Sequence, residues 1–232
     1  MSNLEAEKQL AAVRAVAEVR DGMLVGLGTG STASHAVRAL ADRIAAGLRI
    51  TATATSRATE DLARSLGMAL VAFDRIDRVD ITIDGADEVD GKLRAIKGGG
   101  GALLREKIVA TASDQVVVAV DSTKVVPALG RFPLPVEVVP FAAAFAERRL
   151  RLLEAPVALR HRGGEPVLTD QGNVIFDVAL GLVADPDELA IVLASIPGVV
   201  GHGLFLTEIS TVVVARGTEV EVRRRKMATP GS

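Results

Sequence analysis

Short apolar runs alternate with helical stretches along the first half of this chain, and that alternation restricts its fold more than any other feature. Met23–Leu27, Arg49–Ala54, Ala69–Phe73, Val79–Ile83 and Gln115–Val120 read as strands. The spacing of apolar residues predicts a first helix over Leu4–Val19, and others reaching Ala46, over Ala58–Leu66, and reaching Ala112. Strands alternating with helices build a mostly parallel sheet with helices on both faces, so the expected class is α/β. Ligands of such sheets bind beyond the carboxyl ends of the strands. Loops far apart in sequence are therefore expected to meet in one crevice.

The rhythm changes at Phe132-Pro133-Leu134-Pro135, with Pro140 close behind. Repeated proline suggests a boundary. Beyond it come a helix near Phe141–Leu153, a turn at Gly163-Gly164, a strand near Val174–Asp177 and a helix over Pro186–Ile196. A strand over Leu204–Leu206 and a clearer one over Thr211–Ala215 follow. We expect residues 1–130 plus 207–232 to form the main domain, and residues 131–206 a smaller α+β domain. The basic run Arg223-Arg224-Arg225-Lys226 reads as a solvated, fraying terminus.

Composition removes several function classes. The chain has no cysteine, so disulfides, thiolate nucleophiles and cysteine-held metal centres are excluded. Its net charge of -2 argues against a bulk nucleic-acid or anionic-membrane binder. Six Phe with no Trp or Tyr offer little for base stacking. The segment Met1-Ser2-Asn3-Leu4-Glu5 has no basic region leading into an apolar one, and no apolar stretch has membrane-spanning length. A cytoplasmic protein is expected.

Four loops carry the chemistry. Gly28-Thr29-Gly30-Ser31-Thr32-Ala33 joins a strand to a helix, with Ser31 or Thr32 as a candidate cap. Glycine N–H groups, a helix N-terminus and two hydroxyls suit an anion. A dinucleotide would also require a carboxylate about twenty residues on. Thr53-Ala54-Thr55-Ser56-Arg57 has none, which favours a compact phosphate. Asp84-Gly85-Ala86-Asp87-Glu88 clusters carboxylates that repel one another. They can hold sugar hydroxyls, act as acid or base, hold a divalent cation, or simply form a solvated turn. The cation is disfavoured because His35, His161 and His202 are scattered. Lys97-Gly98-Gly99-Gly100-Gly101 offers backbone N–H groups and a full charge to an oxyanion, and Glu106 follows in the next helix. Asp121-Ser122-Thr123-Lys124 adds a second cation after a strand. Phosphate donors, carboxylates, a cation and one candidate base suit proton transfer on a small phosphorylated sugar.

Together these segments resemble type A ribose-5-phosphate isomerases. Phe132-Pro133-Leu134-Pro135-Val136-Glu137-Val138 and Thr169-Asp170-Gln171-Gly172-Asn173 resemble further family segments, in the same order. The resemblance implies a Rossmann-like domain with a smaller α+β domain, assembled as a homodimer or homotetramer. It implies interconversion of ribose 5-phosphate and ribulose 5-phosphate, with neither metal nor cofactor. Glu106 matches the family's base, and Lys97 and Asp84 are the other expected catalytic residues. Thr29, Gly30, Ser31, Thr32, Asp84, Gly85, Ala86, Asp87, Lys97, Gly98, Gly99, Gly100 and Lys124 are expected to contact the pentose 5-phosphate. Gly101 lengthens the glycine run and is expected to loosen it. The alternatives are a non-catalytic sugar-phosphate sensor, which needs the phosphate loop but not the base, and a dinucleotide-dependent dehydrogenase, weakened by the missing acid.

Overall fold

In the computed structural model, residues 3–225 are described. In chain order they form α1 (Asn3–Val16), β1 (Leu24–Leu27), α2 (Ser31–Ala45), β2 (Thr51–Ala54), α3 (Arg57–Ser65) and β3 (Val79–Asp84). Next come β4 (Glu88–Val89), β5 (Ala95–Ile96), α4 (Leu103–Thr111), β6 (Ser113–Asp121), β7 (Leu134–Val138), α5 (Ala143–Leu150) and β8 (Val157–Leu159). The chain continues through β9 (His161–Arg162), β10 (Glu165–Pro166), β11 (Val174–Val178), α6 (Pro186–Ala194), β12 (Val199–His202), β13 (Leu204–Phe205), β14 (Thr211–Arg216) and β15 (Glu219–Arg224).

The apolar runs become one six-stranded sheet in the order β15-β14-β6-β3-β1-β2. Every neighbouring pair is parallel except β14 with β15. Ala54, Leu27, Ile83 and Val117 stand side by side across four strands. The loops after β1, β3 and β6 therefore open on the same edge, as strands alternating with helices require.

Side chains alternate across the two faces of this sheet. Val117, Ala119, Val213 and Ala215 face a core shared with Ala11, Ala15, Val37 and Leu40 of α1 and α2. Val116, Val118, Val120, Val212 and Val214 face the other way, onto Ala110 of α4 and Phe205 of β13. Runs apolar at every position mark strands buried on both sides. Among the described residues, no helix is long and apolar enough to cross a membrane.

A second, antiparallel sheet runs β12-β7-β11-β8 and carries its own core, including Leu134, Val136, Phe176, Leu150 and Leu193. Here the proline-rich segment leads into a strand that the sequence reading left unassigned. Leu134–Val138 is an interior strand, paired with both β11 and β12. Pro135 is tolerated because β12 pairs only with Val136, Glu137 and Val138. The Pro135 carbonyl accepts the Gly203 N–H on that side at 2.8 Å, so the missing donor falls where β12 has ended.

Three other expectations are corrected. Ala69–Phe73 is not a strand: it makes one parallel bridge, Leu70 to Ala52, before the one-turn helix Phe73–Arg75 draws it away. The glycine run does not open α4, whose cap is Ala102. The basic run is not a fraying tail. Arg223 and Arg224 lie in β15, and Arg225 donates to the carbonyls of Ile209 (2.9 Å), Leu93 (3.1 Å) and Leu206 (3.1 Å). Lys226 lies outside the described residues.

Glycine is imposed where β1 meets β3. A Cβ on Gly28 would lie 2.0 Å from Asp84 Oδ1 and 2.6 Å from Asp84 Cα. Backbone cannot yield as a side-chain tip can, so Gly28→Ala is expected to destabilise the protein by about 1–3 kcal/mol. Urea denaturation monitored by circular dichroism measures it.

Candidate active site

The loop after β1 is arranged as an anion site. Gly30 caps α2 at φ +112° with no side-chain cap. Ser31 and Thr32 thus stand in the first helical turn rather than capping it, contrary to expectation. The first N–H groups of a helix lack intrahelical partners, and here the cap supplies none. Thr29 anchors the loop from below. Its N–H donates to Asp84 Oδ1 at 3.1 Å, and its hydroxyl lies 2.8 Å from both Thr55 Oγ1 and Ser56 Oγ.

The acidic loop after β3 is divided among three tasks. Asp84 is buried, and Oδ1 accepts the N–H groups of Thr29 and Gly85 (2.7 Å). Asp87 is half-buried, and Oδ2 accepts the Gly99 N–H at 2.8 Å. Burial raises its pKa against the opposing pull of that N–H and of Lys97, Lys124 and Arg160. Glu88 turns away and accepts the N–H groups of Gly130 (2.8 Å) and Phe132 (2.7 Å), fastening a loop outside the site.

Lys97 joins these parts. Its side chain is 4% exposed, with Nζ 2.5 Å from the Gly85 carbonyl, 2.8 Å from Asp84 Oδ2 and 3.4 Å from Glu106 Oε2. Burial works against its charge, but Asp84 and Glu106 outweigh burial and hold its pKa above the usual lysine value. Glu106, in the first turn of α4, is equally buried. Its Oε2 makes no aligned hydrogen bond, despite the nearby ammonium. Burial, the largest cause, pushes Glu106 up to about 8; Lys97 pulls it down, and Asp84 and Asp87 push it up. Its sequence neighbours do not neutralise it. Arg105 faces Asp170 at 3.6 Å, and Lys107 pairs with Glu208 at 2.8 Å.

The expected residues meet in a cleft of about 500 Å³. Thr29, Gly30, Ser31 and Thr32 line one wall, with Gly85, Ala86, Asp87, Lys97, Gly98, Gly99, Gly100, Glu106 and Lys124 around the rest. Asp84 lies beneath the floor and is not part of the lining. The glycine run is not loose: Gly101, at φ +85°, donates its N–H to the Gly98 carbonyl at 3.0 Å and closes a turn. One lining residue was missed. Lys8 reaches the cleft from α1, where its sequence surroundings look like any charged helix face.

Comparison with known proteins gives the site its family. A model of the ribose 5-phosphate isomerase A (phosphoriboisomerase A) family matches residues 51–219. Ribose-5-phosphate isomerase A of Sphingopyxis alaskensis is 61% identical over 225 residues, spanning 97% of this chain and 99% of its own. The chain belongs to the ribose 5-phosphate isomerase A family. The Bradyrhizobium diazoefficiens isomerase is 48% identical, over 97% of this chain and 98% of its own. Ribose 5-phosphate isomerase A of Methanocaldococcus jannaschii superposes with a TM-score of 0.90 at 39% identity, covering 95% of this chain and 99% of its own. The Plasmodium falciparum isomerase gives 0.93 at 32% identity, covering 96% and 100%. The α/β class with a smaller α+β part is thus the architecture of this isomerase family.

Removing the ammonium would leave Asp84 and Glu106 facing each other without a counter-charge. Lys97→Met is expected to cost about 3–5 kcal/mol, as for a broken buried pair. The loss should shrink below the Glu106 pKa of about 8, where that carboxyl takes up a proton and the repulsion falls. Thermal denaturation at pH 6 and pH 9 measures the difference.

Proposed function

We propose that this chain is a ribose-5-phosphate isomerase that interconverts D-ribose 5-phosphate and D-ribulose 5-phosphate through a cis-enediolate. The observation that carries this reading is Glu106. It is a buried carboxyl group whose Oε2 lies 3.4 Å from a buried ammonium without an aligned hydrogen bond, in a cleft lined by a helix N-terminus. A solved relative, 35% identical with a TM-score of 0.93, is described in complex with phospho-erythronic acid. That ligand lends support to a phosphorylated sugar in this cleft.

The phosphate is read onto Ser31, Thr32 and the open N–H groups of α2, with Lys8 and Lys124 adding charge. Asp87 and the glycine N–H groups take the sugar hydroxyls. In the open aldose, Glu106 removes the C2 proton, the electron pair forms the C1–C2 double bond, and negative charge collects on O1. Lys97 and the glycine N–H groups stabilise that oxygen. Glu106 then returns the proton to C1. The hydroxyl proton passes from O2 to O1, leaving the C2 ketone. Asp84, expected to act directly, is better read as a positioning residue, since its contacts are to Lys97 and to the loop N–H groups.

A raised pKa makes Glu106 a stronger base than a free glutamate. A non-catalytic sensor has no use for a costly buried carboxylate, and Thr53–Arg57, at the end of β2, offers no ribose-binding acid for a dinucleotide. We also read the enzyme as metal-independent, because Lys97 supplies the positive charge a cation would bring. The homodimer or homotetramer is a reading from the family resemblance, and the cytoplasmic location one from the lack of signal-like and membrane-spanning apolar runs in the sequence. The division into residues 1–130 plus 207–232 and residues 131–206 is supported by the separate sheet and core.

Because the carboxylate is the active form, kcat/KM should climb as pH rises towards about 8 and level off above it. Glu106→Gln should keep the fold, lower kcat by roughly 10²–10⁴-fold and lose deuterium exchange at C2, as read by NMR in heavy water. Near-normal turnover would remove Glu106 from the reaction. Purified enzyme should retain full activity after treatment with a strong chelator; loss that a divalent cation restores would replace proton transfer with a metal-assisted step.

A further inference from the structure

Arg160, which follows β8, reaches from the second sheet to the glycine loop. Its guanidinium forks onto Asp177 of β11, with Nε 2.8 Å from Oδ2 and Nη2 2.5 Å from Oδ1. The remaining nitrogen, Nη1, donates to the Gly98 carbonyl at 2.9 Å and to the Gly99 carbonyl at 3.3 Å. On the far side, the Gly99 N–H donates to Asp87 Oδ2 at 2.8 Å.

The Gly98 carbonyl and the Gly99 N–H belong to one planar trans peptide, and they point in opposite directions. That peptide is therefore gripped from both sides, by a cation on its oxygen and a carboxylate on its hydrogen. Within the loop one hydrogen bond resists its turning over, from the Gly101 N–H to the same Gly98 carbonyl at 3.0 Å, and the backbone is otherwise compliant. Glycine flanks the plane on both sides, and Gly98 already sits at φ +104°. A stiffer residue in place of Gly99 would displace Asp87, because its Cβ would lie 2.5 Å from Asp87 Oδ1. Arg160 adds the hold from outside the loop, as the cation that reaches the same peptide oxygen. Its fork onto Asp177 fixes the guanidinium plane, as bidentate pairing does.

We propose that Arg160 is a positioning residue for the isomerase: its grip on the Gly98 carbonyl holds the Gly99 N–H against Asp87, and so fixes the carboxylate that meets the sugar hydroxyls. The proposal rests on the isomerase reading above. Without the grip the peptide turns over, its oxygen meets the Asp87 carboxylate, and that side chain is displaced from the sugar. Hydroxyl contacts are made alike in bound substrate and transition state, so the defect falls on KM.

Arg160→Met removes the charge and donors while keeping an unbranched apolar stem. In folded protein, KM for ribose 5-phosphate is expected to rise about tenfold, with kcat within about twofold of wild type, the size of effect of a hydrogen bond to a charged group. Exchange of the Gly99 amide with solvent, read by NMR without substrate, is expected to quicken about tenfold as its partner is lost. Arg160→Lys keeps one cationic donor and should recover most of both. If Arg160→Met does not fold, Asp177→Asn loosens the same guanidinium and should move KM and exchange in the same direction by a smaller amount. Unchanged KM or unchanged Gly99 exchange in the variants overturns the proposal. So does an activity loss that follows the folded fraction at constant KM, which marks a purely structural role. Inactive wild-type protein would instead overturn the isomerase reading, and Gly99 exchange would still decide whether the grip exists.

Discussion

A single ammonium buried among carboxylates is the constraint around which the site is built. Lys97 is closed from water, and its neighbours are a carbonyl of the acidic loop, the Asp84 carboxylate and the Glu106 carboxylate. An isolated charge at such depth would be prohibitive. It is stable only if the ends of β3 and β5 and the start of α4 converge, so electrostatics and topology demand the same arrangement. Asp84 in turn receives the N–H groups of Thr29 and Gly85, which ties the phosphate-type loop to the same centre. Glu106 Oε2 is left with the ion pair to Lys97 and no aligned hydrogen bond. Its elevated basicity follows from an imbalance in which burial outweighs its share of the Lys97 charge.

Much of this was legible in the sequence because strand patterning and loop chemistry agreed. The runs ending at Leu27, Ile83 and Val120 each lead into a loop of glycine, hydroxyl or carboxylate residues, and parallel strands must deliver such loops to one edge. That logic located Ser31, Thr32, Asp87 and Lys124 together, while Lys97 and Glu106 were singled out by the glycine run and the helix after it. It could not separate Asp84 from Asp87, because neighbouring carboxylates look alike until the backbone decides which points down and which points outward. Nor could it find Lys8, whose place depends on how α1 packs across the sheet rather than on any local pattern.

The second sheet was the least legible part. Pro135 hid an interior strand, because its missing donor matters only if a neighbour stands opposite, and β12 has ended at that point. The basic run near the end was misread for a related reason. Arginines at the margin of a sequence look solvated, yet Arg225 closes three carbonyls and Arg223 and Arg224 lie in an edge strand. Such long-range satisfaction of backbone groups leaves no periodic trace.

The order of strands also bears on how the molecule assembles. β14 pairs with β6 and β15 closes the edge, while α1 packs on both β6 and β14 and its Glu7 accepts the N–H groups of Ser122 and Gly217. A ribosome emits these partners some 200 residues apart, from Glu7 to Gly217. α1 can pack on α2 and β6 first, and the last strands then cover the rest of its apolar face. The antiparallel sheet is made from residues 134–202. Residues 134–202 can therefore pair as a sheet before Glu7 and Gly217 meet.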